Sequence, residues 1–329
     1  MTNLLPLNLL QHLSCPKCLR EERETDLLLE EKAVVCSYCS ALYPLKEGVI
    51  IFEELKQDKK SERLEKVYSA FWEKGNDLFL EQDYNEQNQL LKEWKGYFDN
   101  ETILDAACGN GRFAKEWVDA KAQGIIFFDI SDSIFLCQKQ FQQKYPDTPA
   151  LFLKASLLEI PLKSKSIGFT WCSGTVGLLH DQEVPTKELA RITKKNLILG
   201  VLTDQTMAGK IYIGLNIIKP IINRINNLNI LFKLCGIMAY LMVLSFRVLY
   251  FLRLNLSFLP RKSLEKILQD KNNIRRIQCS LFDPMIIPKV IKKSDSFYTE
   301  HAKSMNQLMV ETKRDYLCDY YLFEEKNIN

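Results

Sequence analysis

The sequence lacks an excess of either charge: 44 lysines and arginines stand against 41 aspartates and glutamates in 329 residues, a net charge of +3. Nucleic-acid binders carry a basic excess or stripe, so this balance gives nucleic acid no support, although it suits an anionic membrane surface. Internal repeats and low-complexity tracts are missing, which removes repeat and fibrous architectures. Histidine is scarce, with His12, His180 and His301 as the whole supply of imidazole. Leucine-rich Met1–Ser14 has neither a basic n-region nor a small-residue cleavage site, so it does not read as a signal peptide. The ten cysteines are therefore expected in a reducing compartment, the cytoplasm, as metal ligands rather than as a disulfide framework. What is present, 47% apolar and 26% charged residues, suits a globular chain with room for one large α/β domain and a small module.

Two CxxC pairs open that inventory. Cys15-Pro16-Lys17-Cys18 and Cys36-Ser37-Tyr38-Cys39 are separated by 17 residues, enough for a hairpin that returns the second pair to the first. Four thiolates so placed suit a tetrahedral Zn²⁺, and with no coordination position left open the ion folds the module rather than catalysing. A redox role for either CxxC alone leaves the other pair unexplained. The stretch LLQHLSCPKC…VVCSYCSALYPLKEGVIIF, with Tyr43, Pro44 and Gly48 after the second pair, resembles the zinc-ribbon family that includes the small activator subunit of tRNA and release-factor methyltransferases. That resemblance covers residues 1–52 and implies a ribbon that assists a methyltransferase, here in cis.

Residues 53–100 divide into a polar linker, 53–66, and aromatic-bearing amphipathic helices, 67–99. From Thr102 the pattern becomes strand, glycine turn, helix, strand. Strands are expected at Ile103-Leu104, Gly124–Phe128, Ala150–Leu153, Ile167–Cys172 and Asn196–Val201, with a helix over Arg112–Ala122. Alternation of this kind implies βαβ units on a parallel sheet. Residues 101–329 are thus read as one domain, interrupted by an apolar helical insertion at 206–258. Arg261–Lys271 reads as helical and Ile274–Phe282 as extended.

Ile103-Leu104-Asp105-Ala106-Ala107-Cys108-Gly109-Asn110-Gly111-Arg112 is a strand followed by a turn of small residues, which lets backbone and a helix N-terminus approach a ligand. A dinucleotide site would show GxGxxG, but Ala107 and Ala114 stand at its first and sixth positions. Asp129, at the next strand end, can accept two hydrogen bonds from a ribose diol. The segment resembles the first motif of class I S-adenosyl-L-methionine-dependent methyltransferases. Ser156-Leu157 through Phe169, the Trp171–Val176 strand and Glu188–Ile192 resemble that group's later motifs. The resemblance covers Thr102–Leu202 and points to the quinone, lipid and natural-product enzymes. It implies a Rossmann-like sheet and cofactor contacts at Asp105, Ala107, Gly109, Gly111, Asp129, Ile130, Ser156, Leu157 and Cys172. Ser156 and Gly168 stand where relatives carry Asp, Gly177-Leu178 where they carry two histidines, and Lys194-Lys195-Asn196 where they turn through Pro-Gly-Gly.

Methyl transfer from a sulfonium is an in-line displacement that alignment and desolvation accelerate; a base matters only when the acceptor must lose a proton. His180, beside Asp181, is the candidate base. Leu234–Leu252 holds 19 residues with one charge, Arg247. That length reaches the lower limit of a membrane span, but the stretch interrupts a domain and reads as a lid or interfacial helix, with peripheral membrane contact through 211–256. The expected acceptor is a small, apolar or lipid-like molecule. An RNA methyltransferase and a non-catalytic cofactor-binding scaffold are the alternatives.

Overall fold

Unbroken apolar runs form the middle of the sheet, as strands covered on both faces require. The computed structural model describes residues 5–52, 65, 69, 91–92, 94–179, 181–201, 263, 266, 273–279 and 318–324. The first segment supplies β1 (Leu27–Leu29), β2 (Ala33–Cys36), β3 (Leu42–Lys46) and β4 (Val49–Ile51), with short helices α1 (Leu7–Leu10) and α2 (Pro16–Leu19) ahead of them. The alternating segment supplies β5 (Thr102–Ala106), α3 (Ala114–Asp119), β6 (Gly124–Asp129), α4 (Ser133–Lys144), β7 (Ala150–Lys154), β8 (Ile167–Ser173), α5 (Glu183–Ile192) and β9 (Thr193–Val201). Two further strands, β10 (Asn273–Cys279) and β11 (Cys318–Glu324), close the far edge.

These strands form one sheet in the order β1-β2-β3-β4-β7-β6-β5-β8-β9-β11-β10. From β4 to β9 the neighbours run parallel; β11 is antiparallel to both β9 and β10. The strand order reverses at β5, and such a switch point opens a crevice at the carboxyl ends of the strands. This is a Rossmann-like α/β sheet, as expected. The strands match the sequence reading to within a few residues, while β11 was not anticipated.

The side chains of the central strands alternate between two cores. One holds Leu104, Ile126, Phe128, Leu151 and Leu153 together with Leu9, Leu13, Val34 and Tyr43 of the first segment. The other holds Ile103, Phe127, Phe152, Phe169 and Trp171 with Trp94, Phe98, Trp117 and Phe141. The N-terminal leucines therefore cover a face of the main sheet, and a Cβ on Gly124 would lie 2.4 Å from a methyl of Leu9. Each fully buried Leu or Phe of this kind contributes about 1.5–3 kcal/mol. The main sheet runs across the expected division at residue 52: β4 pairs in parallel with β7, Val49 opposite Phe152 and Ile51 opposite Lys154.

α3 is shorter than the expected Arg112–Ala122, because the turn after β5 runs on to Phe113 and the chain leaves the helix through Lys121, at φ 52°. Two departures from the family pattern have local causes. A Cβ on Gly168 would lie 2.2 Å from Glu101 Oε2, so an aspartate there would meet a like charge. After α5 no glycine turn is needed: the N–H groups of Lys165 and Ser166 donate to the carbonyls of Arg191 and Ile192, and Thr193 Oγ1 donates to Leu189 O at 2.6 Å. Among the described residues no helix is long and apolar enough to cross a membrane. The expected insertion at 206–258, including 211–256 and 234–252, lies outside the described residues, as does most of 53–90. Ser263 and Lys266, within the expected helix Arg261–Lys271, are helical.

Candidate active site and metal centre

The crevice at the carboxyl ends of β5, β6, β7 and β8 gathers most of the residues singled out above. Asp105 is 1% exposed and accepts from Trp117 Nε1 at 2.8 Å. Burial pushes its carboxyl up to about 7, against the pull of the Trp117 bond and the Arg112 charge. The turn that follows is left-handed at Ala107 (φ 59°), Gly109 (φ 58°) and Gly111 (φ 79°). It is pinned by Cys108 N–H donating to Phe128 O and by Gly111 N–H donating to Cys108 O, each at 3.0 Å. At Gly111 a Cβ would lie 2.5 Å from Cys137 Sγ, so backbone conformation and packing both require glycine there.

Across this turn, Asp129 ends β6. Its Oδ2 accepts from Gly109 N–H at 2.8 Å, and its Oδ1 from the N–H and hydroxyl of Ser131 at 2.8 and 2.7 Å. Burial raises its pKa, opposed by these donors. With two donors already on Oδ1, Oδ2 is the oxygen that a ribose hydroxyl would use. The side-chain oxygen of Asn110 is buried in the same turn without a hydrogen-bond partner among the described residues. Ile130 follows Asp129 and is half-buried.

Beyond β7, Ser156 (2% exposed) and Leu157 (6%) begin a turn in which Leu158 N–H donates to Ser156 Oγ at 3.2 Å and Glu159 N–H to Ser156 O at 3.1 Å. Cys172, near the end of β8, is fully buried and its thiol is pushed up by that burial. Gly174, at φ 76°, opens onto free space just after β8. His180, the candidate base, lies outside the described residues. Its neighbour Asp181 caps α5, accepting from Glu183 N–H at 2.9 Å and Val184 N–H at 3.3 Å.

The four cysteines converge. Cys15, Cys18, Cys36 and Cys39 place their Sγ atoms within 4.8 Å of one another, and the first three are buried. Cys15–Cys39 and Cys18–Cys36 are 3.6 and 3.7 Å apart. A tetrahedron with Zn–S bonds of about 2.3 Å has edges of about 3.8 Å, so the spacing fits that ion. Hydrogen bonds favour charge on one of the four sulfurs. Burial works against ionisation of Cys36, but the N–H groups of Cys39 and Tyr38, each at 3.4 Å, and the Thr25 hydroxyl at 3.3 Å bring it down to about 6. At Cys18 burial and the neighbouring thiols outweigh the Thr25 hydroxyl and push the thiol up to about 12. Tyr43 OH lies 3.1 Å from Cys15 Sγ as a further partner outside the ligand set.

Sequence reading missed Trp117, Ser131 and the Glu159 side chain. A serine two residues after a strand-end acid is a recognisable side chain–backbone pattern, and Ser131 could have been found that way. Nothing in the spacing of Asp105 and Trp117 announces their contact.

Residues 103–196 match the family model described as a methyltransferase domain. A demethylmenaquinone methyltransferase of Chlamydia felis is 26% identical over 137 residues, covering 40% of this chain and 58% of that protein. A tRNA U34 carboxymethyltransferase of Pseudomonas savastanoi is 28% identical over 106 residues, covering 32% of each. Among solved structures, magnesium protoporphyrin IX methyltransferase from Synechocystis superposes with a TM-score of 0.49 at 14% identity, covering 82% of this chain and all of that one. The chain spans little over half the length of the Chlamydia relative and a third of the Pseudomonas one. Residues 103–196 thus resemble a methyltransferase domain, and the strands that carry them form a Rossmann-like sheet.

Proposed function

We propose that the chain is an S-adenosylmethionine-dependent methyltransferase for a small, apolar or lipid-like acceptor, with a structural Zn²⁺ on Cys15, Cys18, Cys36 and Cys39. The observation that carries this reading is the left-handed turn 107–111 facing the buried Asp129 at the switch point of the sheet. The residues fit the cofactor: a carboxylate for a ribose diol, the unsatisfied Asn110 oxygen, a turn without bulky side chains, and Ser156-Leu157 beside the adenine position.

When bound, the cofactor supplies an electrophilic methyl group on a sulfonium. The chain's own contribution is alignment. The turn 107–111 and Asp105 orient the amino-acid end, while Asp129 and Ile130 hold the ribose. Ser156 and Leu157 are proposed on the adenine side, and Cys172, buried near the end of β8, would back the site and help exclude water. His180 is proposed as the base for an acceptor that must lose a proton. The apolar acceptor is supported by the hydrophobic stretch 234–252 and by similarity to demethylmenaquinone methyltransferases.

RNA is the second reading, favoured by similarity to tRNA U34 carboxymethyltransferases. Incubating the zinc-loaded protein with methyl-labelled cofactor and a cell extract decides between them. Label in the organic-solvent fraction supports the first reading, and label in RNA the second. Cofactor binding without any transfer would mark a scaffold, and no cofactor binding would sink all three.

A further inference from the structure

The turn beside the adenine position is suspended between two anchors. On one side lies α5: Arg191 donates from Nη1 to Leu162 O at 2.7 Å and from Nη2 to Ile160 O at 2.9 Å, while Glu188 Oε2 accepts from Ile160 N–H at 3.0 Å. On the other lies the ribbon. Ser14 N–H donates to Pro161 O at 3.1 Å, Ser164 N–H to Glu24 Oε1 at 2.7 Å, and Lys163 pairs with Asp26 at 2.6 Å. The most specific link is Arg20, whose Nε and Nη2 fork onto Glu159 Oε1 and Oε2 at 2.5 and 2.9 Å. A two-point fork fixes position as well as charge.

Arg20 is itself placed by the metal site. It ends α2, the turn that begins at Cys15 and carries Cys18, and its N–H donates to Pro16 O at 3.2 Å. Glu159 in turn closes the Ser156 turn through its own N–H. Metal ligands, Arg20, Glu159 and Ser156 thus form one chain of contacts.

We propose that Arg20 is a positioning residue that couples metal occupancy of the four-cysteine site to the shape of the Ser156–Glu159 turn, and so to affinity for the adenine end of S-adenosylmethionine. The coupling rests on the methyltransferase reading and deepens it. By linkage it is reciprocal: whatever factor the metal adds to cofactor affinity, the cofactor adds to metal affinity.

The test uses the zinc-loaded full chain, with calorimetry of S-adenosylmethionine on wild type, Arg20→Glu, Glu159→Arg and the double swap. Each single reversal should weaken binding about two- to thirtyfold, the range for coupling residues without ligand contact. The swap should restore most of the loss. Arg20→Gln, which removes the charge with little change of shape, serves if a reversal does not fold. In parallel, competition with a chromophoric chelator measures zinc affinity with and without S-adenosylhomocysteine, which should tighten zinc in wild type and leave Arg20→Gln nearly unmoved. A merely structural role would lower the unfolding temperature without changing either affinity. Cofactor binding within twofold of wild type in folded Arg20 variants, or zinc affinity indifferent to S-adenosylhomocysteine, would overturn the coupling. No cofactor binding by wild type would instead sink the methyltransferase reading.

Discussion

Gly111→Ala tests the turn at its tightest point. Two costs add there. The residue sits at φ 79°, and a left-handed non-glycine costs about 1–2 kcal/mol. The new methyl would also start 2.5 Å from Cys137 Sγ, in the middle of α4, and overpacking of this kind costs about 1–3 kcal/mol. Together they predict a loss of about 2–5 kcal/mol, a large part of the roughly 5–15 kcal/mol by which a domain is stable. Urea unfolding should show the midpoint falling at unchanged slope. The two costs separate in a double-mutant cycle with Cys137→Ala, which removes the clashing sulfur and leaves the backbone term. A favourable interaction energy of about 1–3 kcal/mol is expected between the two substitutions. Calorimetry should show weakened cofactor binding in Gly111→Ala, with partial recovery in the pair. A Gly111→Ala protein of wild-type stability, or a cycle with no interaction energy, would refute this account of the turn.

Asp105 should carry a pH signature. Its folded pKa of about 7 lies above the unfolded value of about 3.9, so the folded state holds the extra proton between those limits. Its relative stabilisation is full below about 4 and gone above about 7, so stability falls with rising pH across that window. Asp105→Asn should flatten the slope, gaining on wild type in urea midpoints measured at pH 7.5 against pH 5.5; parallel pH profiles would count against it. Metal analysis should find one zinc per chain, and Cys36→Ser should lower the unfolding temperature steeply, since structural zinc contributes about 10–16 kcal/mol in isolated zinc-finger peptides. Unchanged melting in metal-free protein would contradict a structural ion. Arg191→Ala removes the donor to Leu162 O and one of two donors to Ile160 O, which keeps Leu162 N–H, and should cost about 1–3 kcal/mol in thermal unfolding, with no loss of zinc.

Much of this was legible in the sequence because it is written in local patterns. β6, Gly-Ile-Ile-Phe-Phe-Asp, is buried at every position, and an unbroken apolar run is how a strand covered on both faces reads. The candidate metal set follows from two CxxC pairs, since each pair already brings two sulfurs to one turn. The run Val49–Phe52 carried the same signal as β6, and all four residues are buried. Its partner, Phe152 to Lys154, is about 100 residues away, and no local pattern names a partner at that distance. β11 mixes Asp319 and Glu324 with tyrosines, and its place rests on pairing with β9 and β10. Arg20 and Glu159 are ordinary surface residue types whose contact exists only once the ribbon has docked.

The pairing of β4 with β7 also orders events in time. Val49 cannot meet Phe152 until the ribosome has added about 100 more residues, which takes roughly 5–20 s at about 5–20 residues per second. For that interval Val49, Ile50 and Ile51 have β3 on one side and nothing on the other, an open apolar edge of the kind that invites pairing between nascent chains. An ion on the four cysteines, as proposed above, would hold the two CxxC turns together during that wait. On that reading, zinc supply during translation would bear on how much chain escapes pairing at this open edge.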